Sequence, residues 1–210
     1  MKKYPSIPRI KKNLNPDKPL YTFAKIDGSN LRAEWQVKKG WTKFGTRTQL
    51  LDESNLIFGS AIPIFKSSLA DPLEKIFFKR WPSATVYFEF WGENSFAGSH
   101  DPKDIKKLTL FDVAPFKEGI MGPKDYLKYF GNLEIAPFLG IHAWDHTFLR
   151  EVANSKLSGM SFEGVVGKCG TRHNLEMYKV KSRAWREKVV ARYSLQYLQN
   201  LENQDTGIDL

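Results

Sequence analysis

The chain has 210 residues, of which 41% are hydrophobic and 14% aromatic, so it can bury a substantial core within one compact domain. Basic residues outnumber acidic ones by 32 to 23, and the formal net charge of +9 favours a polyanionic partner such as nucleic acid, a nucleotide or a membrane surface. No apolar run is long enough to span a bilayer, the start MKKYPSIPRIKK lacks the apolar core of a secretory signal, and the single cysteine, Cys169, excludes an internal disulfide. We therefore expect a globular cytoplasmic protein with no membrane partner.

The first predicted elements are two strands that follow a basic, proline-containing arm of residues 1–20. Residues 21–27 and 31–37 both alternate between apolar and polar side chains, and the sequence GSN at 28–30 is typical of a turn. The pattern predicts a β-hairpin whose second strand turns four apolar side chains to one face, namely Leu31, Ala33, Trp35 and Val37.

Helical spacing occurs in two places. Ser68 or Asp71 would cap a helix in which Pro72 occupies an early position, and Trp81-Pro82 would end it. Near the end of the chain, four-residue intervals predict one amphipathic helix over residues 182–201, with its apolar positions at Trp185, Val189, Tyr193 and Tyr197.

Four apolar segments in the middle of the chain are predicted strands because they are rich in β-branched and aromatic residues: TVYFEFWG, LTLFDV, FEGVVGK and MYKVK. The loops between them are polar or rich in glycine and proline, and the chain contains no internal repeat. Together with the helices, these segments predict a single α+β domain with mixed, largely antiparallel sheets.

Charged residues lie at unusual places in these strands. Alternation puts Lys179 and Lys181 on one face of MYKVK, so two ammonium groups would stand side by side and attract an anion. Glu89 interrupts an apolar run, and Glu163 lies at the edge of another. Lys25 and Asp27 would likewise share a face at the end of the first strand. Buried charges need partners, which suggests a common site.

The motifs KIDG, FEFWG, LFDV, EGVVGK and YKVK occur in the order in which the covalent nucleotidyltransferases carry theirs. On these motifs the chain resembles the superfamily of polynucleotide ligases and capping enzymes, and more closely its RNA ligase branch. The resemblance covers roughly Lys25 to Lys181. It implies a nucleotidyltransferase (ligase adenylation) domain over residues 21–182 with a nucleotide groove between its sheets, followed by a C-terminal helix and short tail, residues 183–210.

The resemblance also implies an activity and a nucleophile. In the family, the lysine of the K-x-D-G motif attacks the α-phosphate of ATP and becomes a lysyl-adenylate, and here that lysine is Lys25. Because a free lysine has a pKa near ~10.4, it needs neighbouring cations to favour its neutral form. We expect Lys179, Lys181 and a bound Mg²⁺ (or Mn²⁺) to lower the pKa of Lys25 and to offset charge on the phosphates.

Further binding roles follow from the same resemblance. Glu89 would bind the ribose, Glu163 would hold the metal, and Phe111 would stack on adenine, with ordinary core packing as the alternative for Phe111. Asp27 and Gly28 complete the first motif, although Asp27 could instead orient the turn. Arg47, with Lys43 as a weaker candidate, would grip a phosphate.

The expected partner is nucleic acid: RNA ends or a nicked duplex, possibly of DNA. Only about thirty residues follow Lys181, too few for the OB-fold domain that DNA ligases and capping enzymes usually append. This favours a minimal ligase, which we expect to be a monomer; the alternatives are a minimal DNA ligase and an inactive nucleic-acid-binding module of the same fold. Basic residues over Val165 to Leu195 and in the N-terminal arm are the candidates for contacts with the polynucleotide backbone.

Overall fold

The computed structural model describes residues 2–9, 18–93 and 103–204; parts of the predicted basic arm and of the C-terminal tail lie outside these ranges. The strands are β1 (Pro19–Ala24), β2 (Ser29–Gln36), β3 (Gly40–Thr46), β4 (Leu50–Leu51), β5 (Ser83–Trp91), β6 (Lys107–Pro115), β7 (Phe138–Ala143), β8 (Gly164–Cys169) and β9 (Glu176–Lys181). The helices are α1 (Ala61–Phe65), α2 (Asp71–Phe77), α3 (Pro123–Phe130), α4 (His146–Ala153), α5 (Arg183–Arg192) and α6 (Leu195–Gln204).

The strands form two sheets, which we call sheet A, with the order β7-β1-β8-β9, and sheet B, with the order β4-β3-β2-β5-β6. Within the described ranges the neighbouring strands of both sheets pair antiparallel. The prediction of an α+β fold with largely antiparallel sheets is therefore confirmed, and so are the four strands predicted from the middle of the chain.

The predicted hairpin over residues 21–37 is wrong. β1 pairs with β7 and β8 in sheet A, whereas β2 pairs with β3 and β5 in sheet B. Residues 25–28 carry the chain from one sheet to the other instead of turning it back. The expected burial of alternate β2 side chains is correct for Leu31, Ala33 and Trp35, but Val37 lies beyond the strand and is exposed.

The main core lies between sheet B and the helices α1 to α3. Its large buried side chains include Trp35, Phe65, Leu73, Phe77 and Phe130. A second cluster packs α4 against sheet A, and Trp144 of this cluster donates its indole N–H to Thr22 at 2.9 Å. Each sheet is thus covered on one face by helices, and this leaves the other faces to meet.

The helix predicted from Ser68 or Asp71 begins earlier, at Ala61. A π-helical segment, Lys66–Ala70, joins α1 to α2 just before Pro72, which has no N–H to donate within a continuous α-helix. Neither predicted cap acts as one, because both residues lie inside the helical stretch; the Ser68 hydroxyl donates to the Ile64 carbonyl at 2.7 Å instead.

The single C-terminal helix predicted over residues 182–201 is two helices, α5 and α6, separated at Tyr193 and Ser194. Trp185 and Val189 are buried as expected, whereas Tyr193 and Tyr197 are exposed and stack on each other with ring centroids 4.6 Å apart. Among the helices of the described residues, none is long and apolar enough to cross a membrane.

Candidate active site

A cavity of about 320 Å³ lies between the two sheets. Sheet A and its flanking residues contribute Lys25, Glu163, Val166, Lys179 and Lys181 to its lining, and sheet B contributes polar and aromatic groups on β2, β5 and β6: Asn30, Glu89, Thr109 and Phe111. The side chains predicted from five separate motifs therefore surround one space, at the place where the sequence resemblance puts a nucleotide groove.

Glu163 contacts two of the predicted lysines. Its Oε2 accepts a hydrogen bond from Lys25 Nζ at 2.8 Å, and its Oε1 lies 3.1 Å from Lys181 Nζ. Glu163 and Lys181 are buried, and the Lys181 ammonium also lies over the Trp185 ring, 3.7 Å from the centroid. One carboxylate thus fixes two ammonium groups on the cavity wall.

The backbone explains why Lys25 and Glu163 meet. The Lys25 N–H donates to the Gly164 carbonyl at 2.9 Å, and the Ser161 hydroxyl donates to the Lys25 carbonyl. On the other side, the Ser182 N–H donates to the Glu163 carbonyl at 2.9 Å. Gly164 is required here, because its φ is +139° and a Cβ would lie 2.0 Å from the Val180 carbonyl oxygen.

The charges of this chain do not lower the pKa of Lys25. Burial lowers that pKa, but the carboxylates of Glu163, Glu89 and Asp27 outweigh it and raise the pKa of Lys25 above its ordinary value of 10.5. The prediction took Lys179 and Lys181 into account but not how close the three carboxylates lie, and the expected contribution of a bound metal ion stays a prediction. The carboxylates therefore favour the ammonium form of Lys25, which contacts Glu163.

Glu89 responds in the opposite way to the same cluster. Burial raises its pKa to about 8, with Lys25 opposing this shift and with Glu163 and Asp27 adding to it. At neutral pH this carboxyl is therefore largely protonated, and it can donate a hydrogen bond as well as accept one. Such a group suits a ribose hydroxyl.

Phe111 reaches the cavity through a β-bulge. β5 and β6 shift register between Tyr87 and Phe88, because Tyr87 lies opposite Asp112 and Phe88 lies opposite Leu110, and this leaves Phe111 as the extra residue. Its ring also packs edge-on against Tyr4, with ring centroids 5.0 Å apart, and lies nearly parallel to the Tyr87 ring at 6.5 Å. Both readings of Phe111 are thus compatible with its position, since it packs on other aromatics and lines the cavity.

The remaining predicted residues also lie at the cavity. Asp27 is buried in its lining, and Gly28 passes so close to β5 that a Cβ would lie 2.5 Å from the Phe90 carbonyl oxygen. Arg47, just after β3, is exposed at the rim of the cavity. Lys43, the weaker candidate, pairs instead with Glu34 across the β2–β3 ladder at 4.0 Å.

Glu163 is the predicted metal-binding residue. In the part of the chain that the structure describes, no group of three or more His, Cys, Asp or Glu side chains forms a metal site. The Glu163 carboxylate is nevertheless a suitable oxygen ligand for Mg²⁺ or Mn²⁺. Mg²⁺ keeps several waters and typically takes only one or two carboxylates together with substrate phosphates.

Sequence reasoning missed a second charged network beside the site. The buried Lys168 ammonium contacts Asp112 at 2.7 Å and the Phe111 carbonyl at 2.8 Å, and the Tyr4 hydroxyl donates to the other Asp112 oxygen at 2.5 Å. Lys168 completes the segment EGVVGK and Asp112 lies in LFDV, but Lys168 was predicted only as one of the contacts with the polynucleotide backbone, and Asp112 had no predicted role. The network joins β8 of sheet A to β6 of sheet B.

The basic stretch after Val165 divides into two groups. Lys168, Lys179 and Lys181 are buried, and they line the cavity instead of facing a polynucleotide backbone. The exposed basic residues of this stretch are Arg172, Arg183, Lys188 and Arg192. Three of these four lie on α5.

Comparison with solved structures relates this architecture to an RNA ligase. A mutant of Naegleria gruberi RNA ligase with AMP and Mn aligns with a TM-score of 0.69 at 15% identity, over 90% of this chain and 58% of that one. A second mutant of that ligase, with ATP and Mn, gives a TM-score of 0.62 at 18% identity over 88% of this chain, and a third, without ligand, gives 0.62 at 16% identity over 95% of this chain. In both of these cases 59% of the ligase chain is covered.

No protein-family model and no curated protein matches the sequence. The chain spans a little under three fifths of the length of the ligase structures that it resembles. Over this span it has the fold of the Naegleria gruberi RNA ligase structures, with two antiparallel sheets around the cavity that contains Lys25.

Proposed function

We propose that this protein is an ATP-dependent polynucleotide ligase that acts on RNA through a lysyl-AMP intermediate at Lys25. The observation that carries the proposal is the convergence of Lys25, Glu163 and Lys181 within 3.1 Å contacts in a cavity that Glu89 and Phe111 also line. The shared fold with RNA ligase structures solved with ATP or AMP supports it.

In the first proposed step, the neutral amine of Lys25 attacks the α-phosphorus of ATP. A P–N bond forms, the bond from that phosphorus to the bridging oxygen breaks, and pyrophosphate leaves. The Lys25 ammonium must lose a proton beforehand, and Glu163 is the carboxylate in contact with it at 2.8 Å. Lys179 and Lys181 lie where they would offset the charge on the phosphates.

In the second step, an oxygen of the polynucleotide 5′-phosphate attacks the adenylate phosphorus, and the P–N bond breaks to release Lys25. In the third, the 3′-hydroxyl of the other strand end attacks the 5′-phosphate phosphorus, loses its proton, and displaces AMP. A divalent metal ion beside Glu163 would neutralise charge on the phosphates during these transfers. The residues of this chain hold and orient the reacting groups.

The nucleotide would lie between the sheets with its base near Phe111 and its ribose near Glu89. An aromatic face suits a purine, and a protonated carboxyl suits a ribose hydroxyl. Arg47 at the rim would contact a phosphate, either of the nucleotide or of the 5′ end. Asp27 and Gly28 would line the nucleotide site next to Lys25.

Two other functions compete with this one. A minimal DNA ligase would use the same site on nicked DNA. An inactive nucleic-acid-binding module would keep the fold alone, but the shifted pKa values of Lys25 and Glu89 within one cavity are typical of a working site rather than an idle one.

The test is covalent labelling. The protein is incubated with Mg²⁺ and ATP labelled at either the α- or the γ-phosphate, and is then denatured. We expect the α-label alone to stay on the chain, to vanish in Lys25→Ala, and to persist in Lys39→Ala, which removes an exposed lysine of the β2–β3 turn. Absence of label on folded wild-type protein would remove the ligase proposal and favour the binding module.

Substrate preference needs a separate experiment. Labelled nicked duplexes of RNA and of DNA are sealed side by side over a series of salt concentrations, because contacts with the backbone weaken as salt rises. The proposal expects faster sealing of RNA. Equal sealing of both duplexes would contradict the preference for RNA, and faster sealing of DNA would support the minimal DNA ligase.

A further inference from the structure

Two segments far apart in the sequence contribute to the wall of the candidate nucleotide cavity. One is residues 2–9, which we call the N-terminal strap, and the other is α6. Tyr4 and Ile7 of the strap and Leu201 of α6 line the same cavity as Lys25. These three side chains form an apolar and aromatic part of the lining, a composition that is typical of ligand pockets.

Both segments are attached to the region of the predicted catalytic lysines. The Lys179 N–H donates to the Pro8 carbonyl at 3.1 Å, and Arg9 forms a parallel bridge with Lys179, so the strap extends sheet A beyond β9. On the other side, Leu198 of α6 packs with Trp185 of α5, and the Trp185 ring carries the Lys181 ammonium.

Glu202 joins these segments to each other. Its Oε1 contacts the guanidinium of Arg9 in the strap and lies 3.3 Å from Arg186 Nε in α5. The Glu202 and Arg9 side chains are only 19% and 25% exposed, so solvent screens their interaction less than it screens a surface pair. The Oε1 atom of Glu202 is therefore ion-paired with both the strap and α5, and this link between the segments is electrostatic.

We propose that Glu202 is a positioning residue that holds the strap and α6 closed over the nucleotide. This inference rests on the proposed function. Glu202 touches none of the reacting groups; it acts through Ile7 and Leu201 of the wall, because the Tyr4 hydroxyl is held separately by Asp112. Loss of the Glu202 charge releases these two side chains and weakens ATP binding, while the contacts of Glu163 with Lys25 and Lys181 remain. The chemical step at saturating ATP is therefore unchanged.

The test is Glu202→Gln, which keeps the shape of the side chain and removes its charge. The rate of lysyl-adenylate formation is measured over a range of ATP concentrations. We expect the ATP concentration for half-maximal rate to rise roughly threefold to tenfold, as for loss of a partly buried ion pair, with the maximal rate unchanged. Glu53→Gln, which breaks the exposed pair with Lys66 far from the cavity, should leave both quantities unaltered.

Arg9→Gln provides an independent variant on the other side of the contact. It should raise the half-saturating ATP concentration as well, and the double variant with Glu202→Gln should do little more than either single change, because both remove the same interaction. Hydrogen exchange should also speed up at the Lys179 amide, which the strap protects.

The outcomes separate this inference from the proposed function. Wild-type protein that forms no adenylate contradicts both. Normal adenylation of the wild type, with half-saturation unchanged in Glu202→Gln and Arg9→Gln, contradicts the role of Glu202 alone. Tighter ATP binding in these variants would also overturn it, because the strap and α6 would then obstruct the cavity rather than complete it.

Discussion

The Glu163 carboxylate contacts two lysines and raises the pKa of one of them, Lys25. It contacts Lys25 at 2.8 Å and Lys181 at 3.1 Å, and together with Glu89 and Asp27 it keeps the pKa of Lys25 raised. An amine nucleophile must be neutral when it attacks. As the proposed nucleophile, Lys25 would have to lose the proton that these carboxylates favour.

Because Glu163 raises the pKa of Lys25, the variant Glu163→Gln should change the pH dependence of adenylation. Removing a carboxylate that raises the pKa of Lys25 should let the amine become neutral at lower pH, so the midpoint of the rate against pH should move down. The maximal rate should fall by roughly 10²-fold, because the proton acceptor and metal-binding group are lost together. The measurement is single-turnover adenylation at saturating ATP from pH 6 to 10, where the rate of the variant should begin to level off at a lower pH than the rate of the wild type, whose Lys25 pKa lies above this range. Glu176→Gln, at an exposed pair with Lys18, is the control, and a midpoint that does not move would contradict the role of Glu163.

The raised pKa of Glu89 leads to a prediction about how the stability of the protein depends on pH. Its pKa rises from 4.5 in the unfolded chain to about 8 in the folded one, so the folded state holds the proton more tightly. Stability then falls as the pH increases from about 4.5 to about 8, because the folded protein must give up a proton that the unfolded chain has already lost. Glu89→Gln should remove this loss, and its melting temperature relative to the wild type should climb over that window. A constant difference from pH 5 to 9 would contradict the raised pKa.

The two sheets meet along β6 and β8, and the contact between these strands is ionic. Lys168 and Asp112 are 4% and 1% exposed at the side chain and lie 2.7 Å apart, with Tyr4 on the second carboxylate oxygen. Removing one member of a buried pair leaves the other charge uncompensated, which is the costly case. The network thus fixes the separation of the walls on either side of the cavity.

Lys168→Met should destabilise the protein by about 3–5 kcal/mol, since the Asp112 carboxylate stays buried without its cation. Urea denaturation gives the free energy of unfolding. Lys43→Met breaks an exposed pair and should cost no more than about 1 kcal/mol. Equal losses in the two variants would mean that the buried network does not join the sheets as described.

The elements also show where sequence reasoning succeeds and fails. Alternation and composition are properties of short segments, so they correctly predicted the strands β5, β6, β8 and β9. They also predicted that Lys179 and Lys181 lie on the same face, and this face lines the cavity. Strand partners are not local. GSN after Asp27 has turn chemistry, yet β1 pairs with strands more than a hundred residues away, so residues 25–28 cross between the sheets and Ser29 and Asn30 begin β2. Glycine there serves close packing against β5 rather than a hairpin turn.

Some residues that line the cavity could not be predicted from alternation, composition or motifs. Tyr4 and Leu201 come from opposite ends of the chain, and no spacing in the sequence relates them to Lys25. The four-residue period at the C-terminus continues across Tyr193 although the backbone leaves the helix there, because period alone does not register a break. Motifs therefore located the charged half of the cavity, and only the fold revealed its apolar wall.

The whole molecule carries a net charge of +9, but much of the predicted nucleic-acid surface is internal. The buried lysines serve the cavity, and the exposed cations of that stretch concentrate on α5, at Arg183, Lys188 and Arg192. Phe162, which is 40% exposed, lies beneath Lys188 and directly precedes Glu163 in the chain. Under the proposed function, this flank is the described surface at which we expect a strand end to lie beside Lys25.

The charge on α5 leads to a prediction about salt. The double variant Arg183→Glu, Lys188→Glu should weaken polynucleotide binding, and the slope of log K against log salt should become shallower by about one for each lost phosphate contact. Reversing Lys75 and Lys79, exposed at and just after α2, should have little effect. If the slope of log K against log salt is the same in the α5 variant as in the wild type, the polynucleotide does not contact Arg183 and Lys188.

The most direct test of the account is to locate the covalent adenylate by peptide mass spectrometry. The protein is incubated with ATP and Mg²⁺, digested under conditions that preserve the P–N bond, and searched for one adenylyl group. We predict modification at Lys25 and at neither Lys179 nor Lys181. All three lysines line the cavity, but Lys25 is the proposed nucleophile, whereas Lys179 and Lys181 would offset the charge on the phosphates. An adenylyl group on either of the other two lysines, or on none of the three, would contradict it.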